Sequence, residues 1–129
     1  MQVAQAAIAA ILAHAREADP LECCGILLGE GDRVGEARPT ANVHPTPHTH
    51  FEIDPQVLID AHRDARVGGP QVLGYYHSHP DGAAEPSATD RARSLRDGSI
   101  WAIVAGETIT LWRDGEECFE HLPYIAERG

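Results

Sequence analysis

The stretch Val72-Leu73-Gly74-Tyr75-Tyr76-His77-Ser78-His79-Pro80, followed by six residues and then Ser87-Ala88-Thr89-Asp90, decides the reading of this chain. Val72 to Ser78 follows the breaker Gly68-Gly69-Pro70 and carries aromatic and aliphatic residues, so it is predicted to be a strand. Alternate side chains of a strand project to one face, which sends His77 and His79 the same way. Residues 80 to 86 read as a loop, and Ser87 opens a short helix predicted to end near Gly98. Asp90 falls in the first turn of that helix, and the loop lets the turn fold back beside the strand end. Two neutral imidazoles and a carboxylate suit a zinc ion whose fourth position stays open, as hydrolytic zinc requires. The same donors accept other divalent ions. Ser-x-x-Asp is also a capping arrangement, with Ser87 as N-cap and Asp90 three residues on. Both roles can hold at once.

On the N-terminal side, Asp54-Pro55 is a helix start, and Val57, Leu58, Ala61 and Ala65 give it an apolar stripe. Residues 39 to 50, rich in Pro, Thr and His, form a long loop. Cys24 to Gly29 is a short apolar run, predicted as a buried strand, and Glu30-Gly31-Asp32 turns into a return strand around Val34 to Arg38. A first helix is expected from about Val3 to Ala18, with Ile8, Ile11, Leu12 and Ala15 on one face. Asp19-Pro20 stops it, because a residue before proline is pushed out of the α region. On the C-terminal side, Ile100 to Ala105 and Thr108 to Arg113 read as strands joined by Gly106-Glu107, and Asp114-Gly115 leads to an edge segment, Cys118 to Leu122. The sum is one α/β domain over residues 1–129, with helices packed on a central sheet.

A hydrolytic zinc site also needs a base for the proton of water. Glu22, in Pro20-Leu21-Glu22-Cys23-Cys24-Gly25, is the best placed acid, because the buried strand after it carries it toward the sheet. Alone it would read as a surface acid at a strand end.

Glu22 ahead of Cys24-Gly25, with His77-Ser78-His79-Pro80, Ser87 and Asp90, resembles the JAMM motif of the MPN-domain metalloproteases. The entry Glu22-Cys23-Cys24-Gly25 and Phe51-Glu52-Ile53-Asp54-Pro55 resemble compact prokaryotic members, and the likeness runs over roughly residues 3 to 113. It implies a curved mixed β-sheet flanked by helices, related to the cytidine-deaminase fold. It implies one zinc ion per chain on His77, His79 and Asp90, with zinc-bound water activated by Glu22, which passes the proton to the leaving amine. Ser87 would donate to the oxyanion. The implied substrate is a peptide or isopeptide bond at the C-terminal tail of a ubiquitin-like or small sulfur-carrier protein. The chain lacks room for the insertions with which larger members grip ubiquitin chains, so linkage specificity is not expected.

Composition narrows the alternatives. A net charge of −10 argues against nucleic acid as a partner, since a phosphate backbone calls for clustered Lys and Arg. Hydrophobic residues make up 43%, enough for a real core, yet no run approaches the roughly 20 needed to span a bilayer. The Ala-rich start is broken by Gln5, His14, Arg16 and Glu17, unlike a secretory signal. Cys23, Cys24 and Cys118 make no disulfide framework, and a reducing, cytoplasmic setting is expected. Cys24 reads as a small core residue, because a glutamate nearby disfavours its thiolate. His48-Thr49-His50 is a second His-x-His, but Ala61 stands where the acid would be, so its loop is read as adventitious or as groove lining. A non-catalytic MPN scaffold is the rival reading; such relatives lose metal ligands, and none is lost here. A zinc nucleoside deaminase would need H-x-E together with P-C-x-x-C, and the latter is absent.

Overall fold

A computed structural model describes residues 1–128. The chain runs β1 (Gln2–Val3), α1 (Gln5–Ala18), β2 (Cys24–Glu30), β3 (Arg33–Thr40), α2 (Pro55–Arg66), β4 (Gln71–Ser78), α3 (Ala88–Arg93), β5 (Ile100–Ala105), β6 (Thr108–Asp114), β7 (Phe119–Leu122) and β8 (Ile125–Ala126). All eight strands join one sheet in the order β7-β6-β5-β4-β2-β3-β1-β8. β2 is antiparallel to both β3 and β4, whereas β4 and β5 are parallel. This is the mixed sheet expected, in a single-domain α/β architecture.

The apolar run of β2 is explained by its place near the middle of the sheet, covered on both faces. On one face Cys23, Leu27, Tyr76, Ala102 and Val104 pack with Ala7 and Ile11 of α1. On the other, Cys24, Ile26 and Leu28 pack with Ile53 and Ala61 at α2. Asp54 caps α2 by accepting from the Gln56 N–H at 2.9 Å, with Pro55 in the first turn, as the sequence predicts. Asp19 leaves the α region at ψ 129°, which ends α1. Gly25 has no side chain for a reason: a Cβ there would run into the Tyr76 ring and the Arg38 carbonyl.

Three boundaries differ from expectation. Val3 belongs to a two-residue strand, so α1 begins at Gln5. β3 extends to Thr40, into the segment read as loop. α3 stops at Arg93 rather than near Gly98. There the buried Asp114 carboxylate accepts from the Ser94 hydroxyl and from the Leu95 and Arg96 N–H groups, and Arg96 takes φ 54°. Those bonds draw the backbone out of the helix. Strands of two residues such as β1 and β8 carry no periodicity that a sequence could display. Among the described residues no helix is long and apolar enough to cross a membrane.

Candidate metal centre

The sheet register puts the site together. Cys24 of β2 pairs with His77 of β4, and the Ser78 N–H donates to the Cys23 carbonyl at 3.1 Å. The Ser78 hydroxyl accepts from the Cys23 N–H at 2.8 Å, which extends the pairing past the end of β2. One step further along an antiparallel pair, Glu22 comes opposite His79. Residues 57 apart in sequence meet for this reason.

His77 is buried and His79 nearly so, and both Nε2 atoms converge, 3.0 Å apart. Each lies 3.1 Å from Asp90 Oδ2. Asp90 is held there by α3: its carboxylate accepts from the Ser87 N–H at 2.9 Å, while the Ser87 hydroxyl accepts from the Asp90 N–H at 3.1 Å. The capping box expected of Ser-x-x-Asp is therefore formed, and the same carboxylate still faces both imidazoles.

The chemistry of this triangle suits a cation. His79 Nδ1 lies 2.7 Å from the Ala83 carbonyl, which only an N–H can satisfy. A neutral ring then turns the bare lone pair of its Nε2 toward Asp90 and toward His77. Burial lowers the pKa of His77, keeping that ring neutral as a ligand must be. Burial opposes charge on His79 too, but the Asp90 carboxylate and the Ala83 carbonyl outweigh it and raise the pKa. Burial likewise opposes charge on Asp90, yet the hydrogen bonds from the two histidines hold its carboxyl far below the usual range. A tetrahedral ion with bonds of about 2.0–2.1 Å separates its donors by about 3.3 Å, close to the spacing found. These three residues could hold a metal ion, and among the described residues they are the one such group.

Beside the triangle opens a cavity of about 530 Å³, lined by Glu22, His79, Ser87 and Asp90 together with residues 48–51 and Arg93. Burial pushes Glu22 up to about 7; the neighbouring Asp90 adds to this, and His79 and Arg93 oppose it. A carboxyl poised near neutrality is suited to taking and giving a proton. All five residues singled out in the sequence thus meet in one place.

Several residues that carried no functional expectation shape the site. The Phe51 ring stacks on His77 at 4.4 Å, and Trp101 meets the same imidazole edge-on. Arg93 donates to the Phe51 carbonyl. Asn42 ties the cavity wall: its amide N–H groups reach the Glu22 and His50 carbonyls at 3.0 Å, and its oxygen accepts from the His44 and Glu52 N–H groups. His48 and His50 line the cavity, which was the less favoured expectation for that loop, and His44 stacks on His50 at 4.8 Å. The loop of residues 80–86 is pinned by His79 at Ala83 and by the Thr110 hydroxyl at the Ala84 carbonyl. Cys24 is buried and its thiol is pushed up to about 11, chiefly by burial, so it is no nucleophile. His14, to which the sequence assigned nothing, bonds the buried Tyr76 hydroxyl at 2.7 Å.

Comparison with known proteins agrees with this geometry. The family model for prokaryotic homologs of the JAB domain matches residues 4–115. The chain belongs to this family. A desampylase of Haloferax volcanii is 38% identical over 99 residues, covering 72% of this chain and 71% of its own. A probable TtuB-protein conjugate cleaving protease of Thermus thermophilus is 38% identical over 78 residues, covering 60% of this chain and 52% of its own. The chain therefore spans about half the length of the second relative. A solution structure from Desulfitobacterium hafniense superposes with a TM-score of 0.87 at 29% identity, covering 100% of this chain and 94% of that one. The family match over residues 4–115 coincides with the stretch of roughly residues 3 to 113 over which the JAMM/MPN resemblance was drawn.

Proposed function

We propose that this JAB-family chain, acting as one domain over residues 1–129, is a zinc-dependent peptidase. It hydrolyses a peptide or isopeptide bond at the C-terminal tail of a ubiquitin-like or sulfur-carrier protein in the cytoplasm. The observation that carries the reading is the convergence of His77, His79 and Asp90 beside Glu22 in one cavity. The names of the two relatives support the conjugate class, and three free cysteines suit a reducing compartment.

His77, His79 and Asp90 would hold the ion, with Ser87 and Ala83 fixing the orientation of Asp90 and His79. Bound zinc supplies Lewis-acid polarisation and lowers the pKa of water. Glu22 takes the proton of the attacking water and delivers it to the departing nitrogen, so that no acyl-enzyme forms. The Ser87 hydroxyl accepts from the Asp90 N–H and keeps its own proton to donate to the developing oxyanion. Phe51 and Trp101 cover the His77 imidazole and keep water off that ligand.

The test is metal content of purified protein, wild type beside His77→Ala/His79→Ala, followed by cleavage of ubiquitin-like fusions. Near-stoichiometric zinc in the wild type alone, with activity lost in Glu22→Gln, is the expected result. A wild type that takes up no zinc after reloading would sink the peptidase reading and leave an assembly scaffold in its place.

A further inference from the structure

We propose that Arg93 is a specificity-determining residue that grips a free α-carboxylate on the leaving group, favouring release of a single C-terminal amino acid. The inference rests on the peptidase reading above. The cavity is walled by the carboxylates of Glu22, Asp81, Glu85 and Asp90, and Arg93 is its one Arg or Lys. Arg93 is exposed, so the core does not demand it. Yet its position is held. The guanidinium donates to the Phe51 carbonyl and lies over the Phe51 ring, 5.4 Å from the centroid. Phe51 in turn stacks on His77, so guanidinium, ring and ligand imidazole form one pile. Directly after Arg93 the chain is fixed by Asp114 through Ser94, Leu95 and Arg96. A guanidinium has five N–H donors, and most of this fork remains for an acceptor in the cavity.

The reaction puts such an acceptor there. The amide C–N bond breaks, the oxygen of water joins the carbonyl carbon, and its proton passes through Glu22 to the departing nitrogen. In an amino acid that nitrogen and the carboxylate share one carbon, so the carboxylate arrives beside the base. Acidic walls would repel it, and one pinned guanidinium offsets that repulsion and orients the group. Glu22 and Arg93 line the same cavity. A lysine side chain leaving from an isopeptide bond presents no carboxylate at that point.

The test uses the zinc-loaded full chain and two fluorophore-labelled peptides ending Gly-Gly-Ala, one with a free carboxylate and one as the amide. The wild type should prefer the carboxylate by about tenfold in kcat/KM, the scale of one exposed charge-assisted hydrogen bond. Arg93→Gln should bring the ratio to about one, the loss falling on the carboxylate peptide, and Arg93→Lys should lie between. The same ratio should appear in binding, read by fluorescence anisotropy in Glu22→Gln against Glu22→Gln/Arg93→Gln. Cleavage of both peptides with a wild-type ratio near one, or a ratio that Arg93→Gln leaves intact, overturns this inference alone. No cleavage of either peptide or of a ubiquitin-like fusion overturns the peptidase reading and this inference with it.

Discussion

The Phe51 ring lies flat against the His77 imidazole, with centroids 4.4 Å apart and planes 17° from parallel. His77 is also the most buried of the three convergent residues, at 1% exposure. A ligand ring held on one side by an aromatic plate and on its edge by Trp101 cannot swing. Phe51→Ala removes the plate while leaving every donor in place. Zinc affinity, measured by chelator competition, should fall about tenfold, the lower range for loss of an orienting neighbour. An unchanged affinity would show that the strand alone aims His77.

Ser87 caps α3 and is proposed to serve the oxyanion, two tasks that different readouts separate. Ser87→Ala deletes the hydroxyl that accepts from the Asp90 N–H but keeps the Ser87 N–H that donates to Asp90. Loss of the cap should cost about 1 kcal/mol in a urea melt. Loss of the donor to the oxyanion should lower kcat by about 100-fold with zinc content unchanged. Ser87→Thr restores both groups and should recover most of each effect. A kcat that falls only in step with stability would reduce Ser87 to a cap.

Glu22 predicts a pH dependence of opposite sign for stability and activity. Its carboxyl, at about 7 in the fold, lies above the ordinary value of 4.5, so the folded state binds the proton more tightly than the unfolded chain does. Below pH 4.5 this favours the fold fully; the benefit is lost as pH rises from about 4.5 through about 7. Metal-free wild type should therefore lose about 1–2 kcal/mol relative to Glu22→Gln between pH 4.5 and pH 8, after solvent screening of a half-exposed group is allowed for. Activity runs the other way, because a base must be ionised: kcat/KM should rise with pH along a limb at or below pH 7, since a bound cation lowers the carboxyl further. Parallel stability curves for the two metal-free proteins would contradict the shift.

Gly25 tests the packing beneath the site. Any side chain there meets the Tyr76 ring and the Arg38 carbonyl, in a strand with neighbours on both sides. Gly25→Ala should destabilise by about 1–3 kcal/mol, read as a lower Tm. Because Gly25 pairs with Tyr76 next to His77, zinc affinity should weaken as well. A Tm within a degree of wild type would mean that the Tyr76 ring shifts freely.

Much of this was legible in the sequence because it is local. His77 and His79 share a strand face, Asp90 sits one cap after Ser87, and Asp54-Pro55 starts α2 by its own chemistry. The proximity of Glu22 to His79 was not local; it depends on the β2–β4 register, which no residue spacing encodes. Phe51 appeared only as part of a resemblance, and nothing in its neighbours foretells a stack on a residue 26 positions away. Arg93 looked like any surface arginine on a short helix. The end of α3 was misplaced because the residue that breaks it, Asp114, lies some twenty positions downstream. Contacts made by folding, rather than by sequence spacing, account for each gap.

Asn42 joins the Glu22 carbonyl to the His50 carbonyl and to the backbone of His44 and Glu52 through a single amide. One wall of the cavity and the segment bearing the proposed base are in effect a single plank. Prising the wall outward to admit a wide chain would drag Glu22 off its proton path. Whatever pushes on the segment from His44 to Glu52 therefore pushes on Glu22 as well, through one shared side chain.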